Sequence, residues 1–248
     1  MRICIYETKD DLGKHAAAVG AEQIRQAIKT KGKTSIILAT GASQFEMLAA
    51  LVNEPLIDWK KVTVFHLDEY VGIPETHPAS FRKYLKERFA AKVPPLAAFH
   101  YINGDAADTA AEVKRLNALI QNVQIDAAFI GIGENGHLAF NDPPADLKTA
   151  DPYLIVELNE ACRKQQQGEG WFPAIKDVPR RAISMSIPFI LKSRRIICTV
   201  PDSRKAKAVN MALYGKIDQK NPCASLRSHA DCYLMMDRPA AGKILGRG

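Results

Sequence analysis

Residues 127–144 read AAFIGIGENGHLAFNDPP, and this stretch decides both the fold class and where a functional site is sought. Its first four residues, Ala127–Ile130, are apolar and predict a short buried strand. The strand runs into a glycine-rich loop, and glycine permits positive φ angles and a close approach of a ligand to the backbone. His137 lies in that loop, where an imidazole can move protons near neutral pH. Taken alone, the stretch also fits an ordinary turn with a surface histidine.

Apolar runs of strand length recur along the chain and alternate with segments of helical periodicity. Apolar residues repeat at helical spacing over 9–30, 44–53, 80–91, 107–122 and 203–213, which predicts helices there. The alternation is typical of βαβ units and predicts a Rossmann-like α/β fold, with a mostly parallel sheet and helices on both faces. We expect a single domain over residues 1–248, because no repeat or composition shift divides the chain. The strand candidates are Ile3–Tyr6, Ser35–Ala39, Val62–Leu67, Phe99–Ile102, Ala127–Gly131, Leu154–Leu158, Ala182–Ile187, Arg195–Val200 and Cys232–Met235.

Polar loops follow several of these strands. In an open parallel sheet, ligands bind at the carboxyl ends of the strands, so the loops at those ends are the candidates for a site. They are Thr40–Ser43, Asp68–Tyr70, the glycine–histidine loop at 131–137, and Pro201–Lys205. All of them fall at the same edge of the predicted sheet. We therefore expect them to line one pocket.

Carboxyl and imidazole groups in these loops are candidates for acid–base chemistry. Asp68 and Glu69 are adjacent at a strand end, so one is expected to enter the pocket while the other caps or pairs. A carboxylate in the pocket suits abstraction of a proton next to a carbonyl, although capping by both is the alternative. His137 has Asn135 and Asp142 close by in sequence, and a nearby carboxylate would fix its tautomer. One histidine with scattered acids is a weak metal pattern, so we predict no metal.

The remaining loops have features that suit an anion. Thr40, Gly41, Ala42 and Ser43 stand between a strand and a helix, where small residues expose backbone N–H groups at the positive end of the helix. Ordinary helix capping by Ser43 is the alternative. Lys205 lies at another predicted helix start and suits a phosphate, although a solvated lysine would have the same sequence context.

Composition and charge narrow the class of protein. The chain has 248 residues and a net charge of +7, but its lysines and arginines are dispersed, so we predict no nucleic-acid partner. No apolar run reaches the roughly 18 residues that cross a bilayer. The first residues also lack the pattern of a signal peptide, so we expect a cytoplasmic protein with no membrane partner. The five cysteines contain no CxxC pair, which indicates neither a zinc site nor a disulfide framework.

Several motifs together closely resemble the glucosamine-6-phosphate deaminase (isomerase) family. They are LDEYVG at 67–72, HPASF at 77–81 and GIGENGHLAFNDP at 131–143. The segments Thr40–Ser43 and Ser203–Ala206 look like the phosphate-binding segments of that family. The resemblance covers roughly residues 10–236.

The resemblance implies a Rossmann-like fold and the conversion of glucosamine 6-phosphate to fructose 6-phosphate with loss of ammonia, without a cofactor. By position, Asp68 corresponds to the base that moves a proton between C2 and C1, and His137 to the residue that opens the pyranose ring. Asn135 and Asp142 correspond to polar supports of that histidine. Lys205 and the loop that contains Gly41 would hold the 6-phosphate of this small-molecule substrate. Members are often oligomeric, so a homo-oligomer is an expectation of the same kind.

Some residues depart from the family pattern. Asn135 stands where many members carry aspartate, and Asp142 where they usually carry glutamate, whose extra methylene makes the contact with the histidine easier. The family also has a phosphate-binding arginine just before an aromatic pair, which here begins at Trp171 without such an arginine. Arg163, or the lysine after it, is the candidate substitute. The segment at roughly 145–180 is expected to form an altered lid.

Alternative functions stay open. A 6-phosphogluconolactonase shares the fold and a related glycine–histidine loop, but usually lacks the AFN continuation, and its DEY-type motif is not expected in the same form. An isomerase of another phosphosugar, such as a galactosamine relative, would use the same groups. A non-catalytic sugar-phosphate sensor is a third alternative. It is disfavoured because no helix-turn-helix pattern precedes residue 30 and both acid–base residues are present.

Overall fold

The computed structural model describes residues 1–246 as an α/β protein. The strands are β1 (Arg2–Tyr6), β2 (Thr34–Leu38), β3 (Val62–His66), β4 (Asp68–Tyr70), β5 (Ala98–His100), β6 (Ala127–Ile130), β7 (Tyr153–Glu157), β8 (Arg181–Met185), β9 (Arg195–Val200) and β10 (Cys232–Asp237). The helices are α1 (Lys9–Lys31), α2 (Phe45–Leu51), α3 (Phe81–Arg88), α4 (Thr109–Ile120), α5 (Glu160–Gly168), α6 (Ile187–Ile190), α7 (Ala206–Tyr214) and α8 (Arg238–Leu245).

Seven of these strands form the central sheet, in the order β1-β10-β9-β6-β2-β3-β5. Each neighbouring pair in this sheet is parallel, so the predicted parallel sheet is confirmed. The strand order departs from sequence order around β6, which lies between β9 and β2. The pocket expected at the strand ends therefore falls near the middle of the sheet.

Alternate residues of the central strands feed a hydrophobic cluster on each face. On β2, Ile36 and Leu38 belong to one cluster and Ile37 to the other. Helices α1 and α2 cover the first face, and α4, α7 and α8 cover the second. Gly20 lets α1 approach the sheet closely, because a Cβ there would lie 2.2 Å from the ring of Phe129. The prediction of one domain with helices on both faces of the sheet is confirmed.

A small second sheet stands beside the central one and corrects part of the strand prediction. The candidates at 154–158 and 182–187 form β7 and β8, which are antiparallel to each other and belong to this sheet. The third strand, β4, lies within the DEY motif and pairs antiparallel with β8. It follows β3 after one residue, and its Tyr70 packs in an aromatic cluster with Phe81, Phe140 and Phe172. Burial of this cluster explains why the chain turns away from the central sheet here.

Three helices, α5, α6 and α8, escaped prediction because they lack a long apolar stripe. In α5 only Cys162 and Gln166 are buried, and α6 is a single turn of four residues. Helix α8 directly follows β10 and is capped by Asp237. Helix α5 belongs to the segment expected to form a lid, and its motion stays a prediction. Among residues 1–246, no helix combines the length and apolar character needed to cross a membrane.

Candidate active site

An open pocket lies at the carboxyl ends of β3, β2, β6 and β9, which are neighbours in the central sheet. Residues of all the predicted polar loops contribute to its wall, among them Gly41, Asp68, His137 and Lys205. The expectation that these loops meet at one pocket is therefore confirmed.

The adjacent acids of the DEY motif have different surroundings. Asp68 lines the pocket, whereas Glu69 is fully buried beneath it at the start of α3. The Glu69 carboxylate accepts hydrogen bonds from the backbone N–H groups of Phe81 and Arg82 at 3.1 and 2.8 Å, and from Ser80 Oγ at 3.1 Å. It satisfies free N–H groups of the helix N-terminus, which is the capping role expected for one of the two acids.

Asp68 sits in a poorly hydrated position at the floor of the pocket. Asp68 is only 6% exposed to solvent. Burial raises its pKa to about 8, and the neighbouring negative charge of Glu69 adds to the shift. Once ionised, a carboxyl group with such a raised pKa is a stronger proton acceptor than an ordinary aspartate.

The glycine-rich loop packs its own histidine against the backbone. Gly133 N–H donates to His137 O at 3.0 Å, and Gly136 N–H donates to Gly133 O at 2.9 Å, so the loop is a tight turn. Gly136 has a φ of +89°, which favours glycine. A Cβ on Gly133 would lie 2.2 Å from the imidazole ring, so glycine is required there for the ring to reach its place. These glycines explain how His137 reaches the pocket wall.

Polar groups behind the imidazole hold it in place. The Asp142 Oδ1 atom lies 3.1 Å from His137 Nδ1 and accepts a hydrogen bond from Asn135 Nδ2 at 2.9 Å. Asn135 Oδ1 in turn accepts from the His137 backbone N–H at 3.0 Å. The Asn159 N–H donates to Asp142 Oδ2 at 2.9 Å. Burial would raise the pKa of Asp142, but the contacts with His137, Asn135 and Asn159 outweigh it and lower that pKa. Aspartate thus reaches the histidine here despite being shorter than glutamate.

The loop after β2, at 40–43, is held in place by hydrogen bonds with neighbouring elements. Its Gly41 has a φ of +89°, and Tyr84 Oη donates to Gly41 O at 3.0 Å. Thr199 Oγ1 donates to Ser43 O at 3.1 Å and accepts from Gln44 Nε2 at 2.8 Å. Thr40 and Ala42 line the pocket beside them. The loop is thereby tied to β9, and its backbone is held in place before any ligand binds.

Lys205 brings a cation to the same pocket. The residue is 5% exposed and directly precedes α7, on a turn that begins at Asp202. Burial lowers the pKa of Lys205, whereas the negative charges of Glu169 and Glu134 oppose that shift. A buried ammonium beside backbone N–H groups suits a phosphate oxygen.

Arg163 does not take the place of the missing arginine, which corrects the expectation for that residue. Its guanidinium donates to Ile175 O at 2.6 Å and it is not part of the pocket wall. The alternative, Lys164, is exposed and pairs with Glu160 at 2.6 Å. Both side chains point away because they lie on the sides of α5 that do not face the pocket.

Helix α5 and the residues after it instead give the pocket polar groups that sequence reasoning missed. Gln165, Gln166 and Glu169 line the wall. Gln165 Nε2 and Trp171 Nε1 donate to the Glu169 carboxylate at 2.9 and 3.2 Å. Gln166 Oε1 accepts from Tyr70 Oη at 2.6 Å. The unusual glutamine and glycine content of 165–170 was the available signal, but it did not say which side chains would face the pocket.

The fold and the pocket together define an α/β protein whose site lies at the ends of parallel strands, in the manner of a small-molecule enzyme. The family described as glucosamine-6-phosphate isomerases/6-phosphogluconolactonase matches residues 7–234. Glucosamine-6-phosphate deaminase 1 of Bacillus subtilis (strain 168) is 33% identical over 246 residues, covering 97% of this chain and 98% of the relative. The chain therefore belongs to this family.

Solved structures give the same assignment. A structure described as a monomeric glucosamine-6-phosphate deaminase has a TM-score of 0.88 at 31% identity, covering 98% of this chain and 99% of that one. A structure described as a putative 6-phosphogluconolactonase from Neisseria gonorrhoeae FA 1090 has a TM-score of 0.75 at 18% identity, covering 96% and 100%. The second likeness shows the shared fold only.

Proposed function

We propose that this protein converts glucosamine 6-phosphate to fructose 6-phosphate and ammonia. One observation carries the proposal: the Asp68 carboxyl and the His137 imidazole line a single pocket that also contains the Gly41 loop and Lys205. Relatives named glucosamine-6-phosphate deaminase, about a third identical over nearly the whole chain, support the choice of substrate.

In this proposal His137 opens the sugar ring. Ring opening needs a proton at the ring oxygen and removal of the proton from the C1 hydroxyl, and an imidazole can donate the one and accept the other. The Asp142 carboxylate, 3.1 Å from Nδ1, fixes the orientation of the ring. Asn135 holds that carboxylate in turn.

Asp68 then carries the proton between the carbons. As a carboxylate it removes the hydrogen from C2 of the open aldehyde, which leaves an enolamine across C1 and C2. Return of the proton to C1 gives a C2 imine, and water hydrolyses this imine to the C2 ketone and ammonia. Atoms balance with one water consumed and no oxidant or reductant. Lys205 and the Gly41 loop would bind the phosphate and so keep C1 and C2 of the sugar next to Asp68. Binding of the phosphate would thereby orient the reacting carbons.

The experiment is an ammonia-release assay across glucosamine, galactosamine and mannosamine 6-phosphates, coupled to detection of the ketose product. We expect turnover of glucosamine 6-phosphate, loss of turnover in Asp68→Asn, and nearly unchanged binding of the phosphosugar by that variant. Asp151→Asn, at an exposed position, is the matched control. Full activity of Asp68→Asn would refute the assignment. Hydrolysis of 6-phosphogluconolactone without ammonia release would establish the lactonase alternative, and binding without any turnover would establish the sensor.

A further inference from the structure

Three metal-type donors converge behind the candidate acid–base pocket. They are a ring nitrogen of His137, a carboxylate oxygen of Asp142 and the Sγ atom of Cys162, and these atoms all lie within 4.8 Å of one another. The ring nitrogen next to Asp142 Oδ1 is Nδ1, at 3.1 Å. Cys162 is on the first turn of α5 and is 0% exposed. Nitrogen, oxygen and sulfur donors at this spacing are the mixed set that zinc accepts.

One of these donors is buried without an aligned hydrogen-bond partner. His137 is 6% exposed, and its Nδ1 atom has no hydrogen bond of good geometry among the described residues, although Asp142 Oδ1 lies 3.1 Å away. A buried ring nitrogen with an unused lone pair or proton costs free energy unless something satisfies it. A metal ion between Nδ1 and its two neighbours would do so.

The other two donors are already held by their surroundings. Asp142 accepts from Asn135 Nδ2 and from the Asn159 N–H, both at 2.9 Å. The Cys162 N–H donates to Asn159 Oδ1 at 2.9 Å, so the same asparagine fixes both the carboxylate and the start of the helix that carries the thiol. Such outer contacts orient ligands before a metal arrives and raise its affinity.

We propose that His137, Asp142 and Cys162 form a binding site for a thiophilic divalent cation, of which zinc is the prototype. Binding displaces the thiol proton to solvent and forms a metal–thiolate bond, with no change of oxidation state. Magnesium and calcium do not fit, because they require oxygen ligands throughout. The bound ion takes the place of the contact between His137 Nδ1 and the Asp142 carboxylate. Zinc would therefore inhibit the enzyme, a consequence that rests on the proposed role of His137.

Cobalt(II) is the probe for the site itself, because a cobalt–thiolate bond gives a near-ultraviolet charge-transfer band that does not depend on activity. The full-length protein, stripped with a chelator, is titrated with Co²⁺ at neutral pH. We expect the band at one equivalent in the wild type and in the control Cys4→Ser, and its absence in Cys162→Ala. Cys162→Ser is the second variant if alanine destabilises the fold, as judged by circular dichroism. No band in the wild type, or a band that persists without Cys162, would overturn the proposal.

Zinc inhibition tests the consequence separately. Each variant is compared with its own zinc-free activity, and we expect loss of Cys162 to raise the inhibitory Zn²⁺ concentration by at least about tenfold, since even outer partners of a metal ligand are worth that much. Equal zinc sensitivity with and without Cys162 would overturn the inhibitory role. If the protein releases no ammonia at all, the function proposed above fails, while the cobalt band still decides whether the site exists.

Discussion

The Asp142 carboxylate lies 3.1 Å from Nδ1 of His137 and at the same time accepts the backbone N–H of Asn159, which begins α5. The acid–base histidine and the polar helix over the pocket therefore share one anchor. Replacing Asp142 by asparagine keeps the size of the side chain and removes the negative charge beside His137 Nδ1. We expect kcat to fall by about 10- to 100-fold with a small change in KM.

That prediction is checked by steady-state kinetics on Asp142→Asn with Asp151→Asn as the control. A KM effect larger than the kcat effect would contradict it, because it would assign Asp142 to binding rather than to support of the histidine.

The buried carboxyl group of Asp68 is expected to destabilise the folded protein at neutral pH. Its folded pKa is about 8, while the unfolded value is about 3.9, so between these values the folded chain keeps a proton that the unfolded chain has lost. Stability therefore falls as pH rises from about 4 to about 8. We expect Asp68→Asn to be more stable than the wild type at pH 7 by about 1–3 kcal/mol, and the gain to vanish near pH 4.

Denaturant unfolding at several pH values measures this difference. Asp142→Asn is the matched opposite case, because the pKa of Asp142 is lowered and its carboxylate stabilises the fold above the unfolded value. It should lose stability at pH 7 and recover relative to wild type in acid. The same sign for both variants would contradict the argument.

Activity should follow the ionisation of Asp68, since only its carboxylate can accept the C2 proton. With a pKa of about 8, kcat/KM should rise from pH 6, reach half of its limiting value near pH 8 and level off above about pH 9. A pH–rate profile of the free enzyme checks it. A profile that is flat across this range would mean that Asp68 is fully ionised at neutral pH or is not the base.

Glu169 should oppose binding of the substrate phosphate. Its carboxylate lies in the pocket wall, and Oε2 would be 3.9 Å from a Cβ on Gly41, above the loop proposed to cradle the anion. A carboxylate beside a bound phosphate repels it. We expect Glu169→Gln to bind inorganic phosphate several-fold more tightly and to lower KM.

Isothermal titration with phosphate measures the effect, and Glu134→Gln is the control, since Glu134 also acts on Lys205 but is not part of the wall. Weaker phosphate binding by Glu169→Gln would show that this carboxylate serves another group of the ligand.

Gly133→Ala should displace the imidazole, because the added Cβ would lie 2.2 Å from the ring of His137. We expect at least about a tenfold loss of kcat, since small misplacements of a catalytic group are expensive. Gly168→Ala is the control, because nothing lies within 4 Å of a Cβ there. Equal activities of the two variants would show that the loop adapts to the extra methyl group.

The sequence allowed the central sheet and the location of the pocket to be predicted because both depend on local patterns. Apolar runs such as Ala127–Ile130 mark buried strands, and the polar loops after them necessarily meet at one edge of a parallel sheet. Side chains alternate along an extended chain, which predicts that Asp68 and Glu69 point in different directions. In the structure Asp68 lines the pocket and Glu69 caps α3.

Contacts that depend on tertiary packing could not be predicted in this way. Strand β4 is only three residues long, and α5 is largely polar, so neither has a clear period. Arg163 is the candidate substitute for the family's phosphate-binding arginine, but the direction of its side chain depends on how α5 is rotated. The proximity of Cys162 to His137 arises from the same rotation. The roles of these residues in catalysis stay predictions until the variants are measured.

The pairing of β4 with β8 places Asp68 opposite Ser184 and Glu69 opposite Ile183. Neighbouring residues of a strand face opposite ways, so a slip of one position would send the longer acid into the pocket and bury the shorter one under α3. Strand β8 thus sets which of the two acids faces the pocket. Substitutions along β8, well away from any ligand, can misdirect the chemistry without touching a reacting atom.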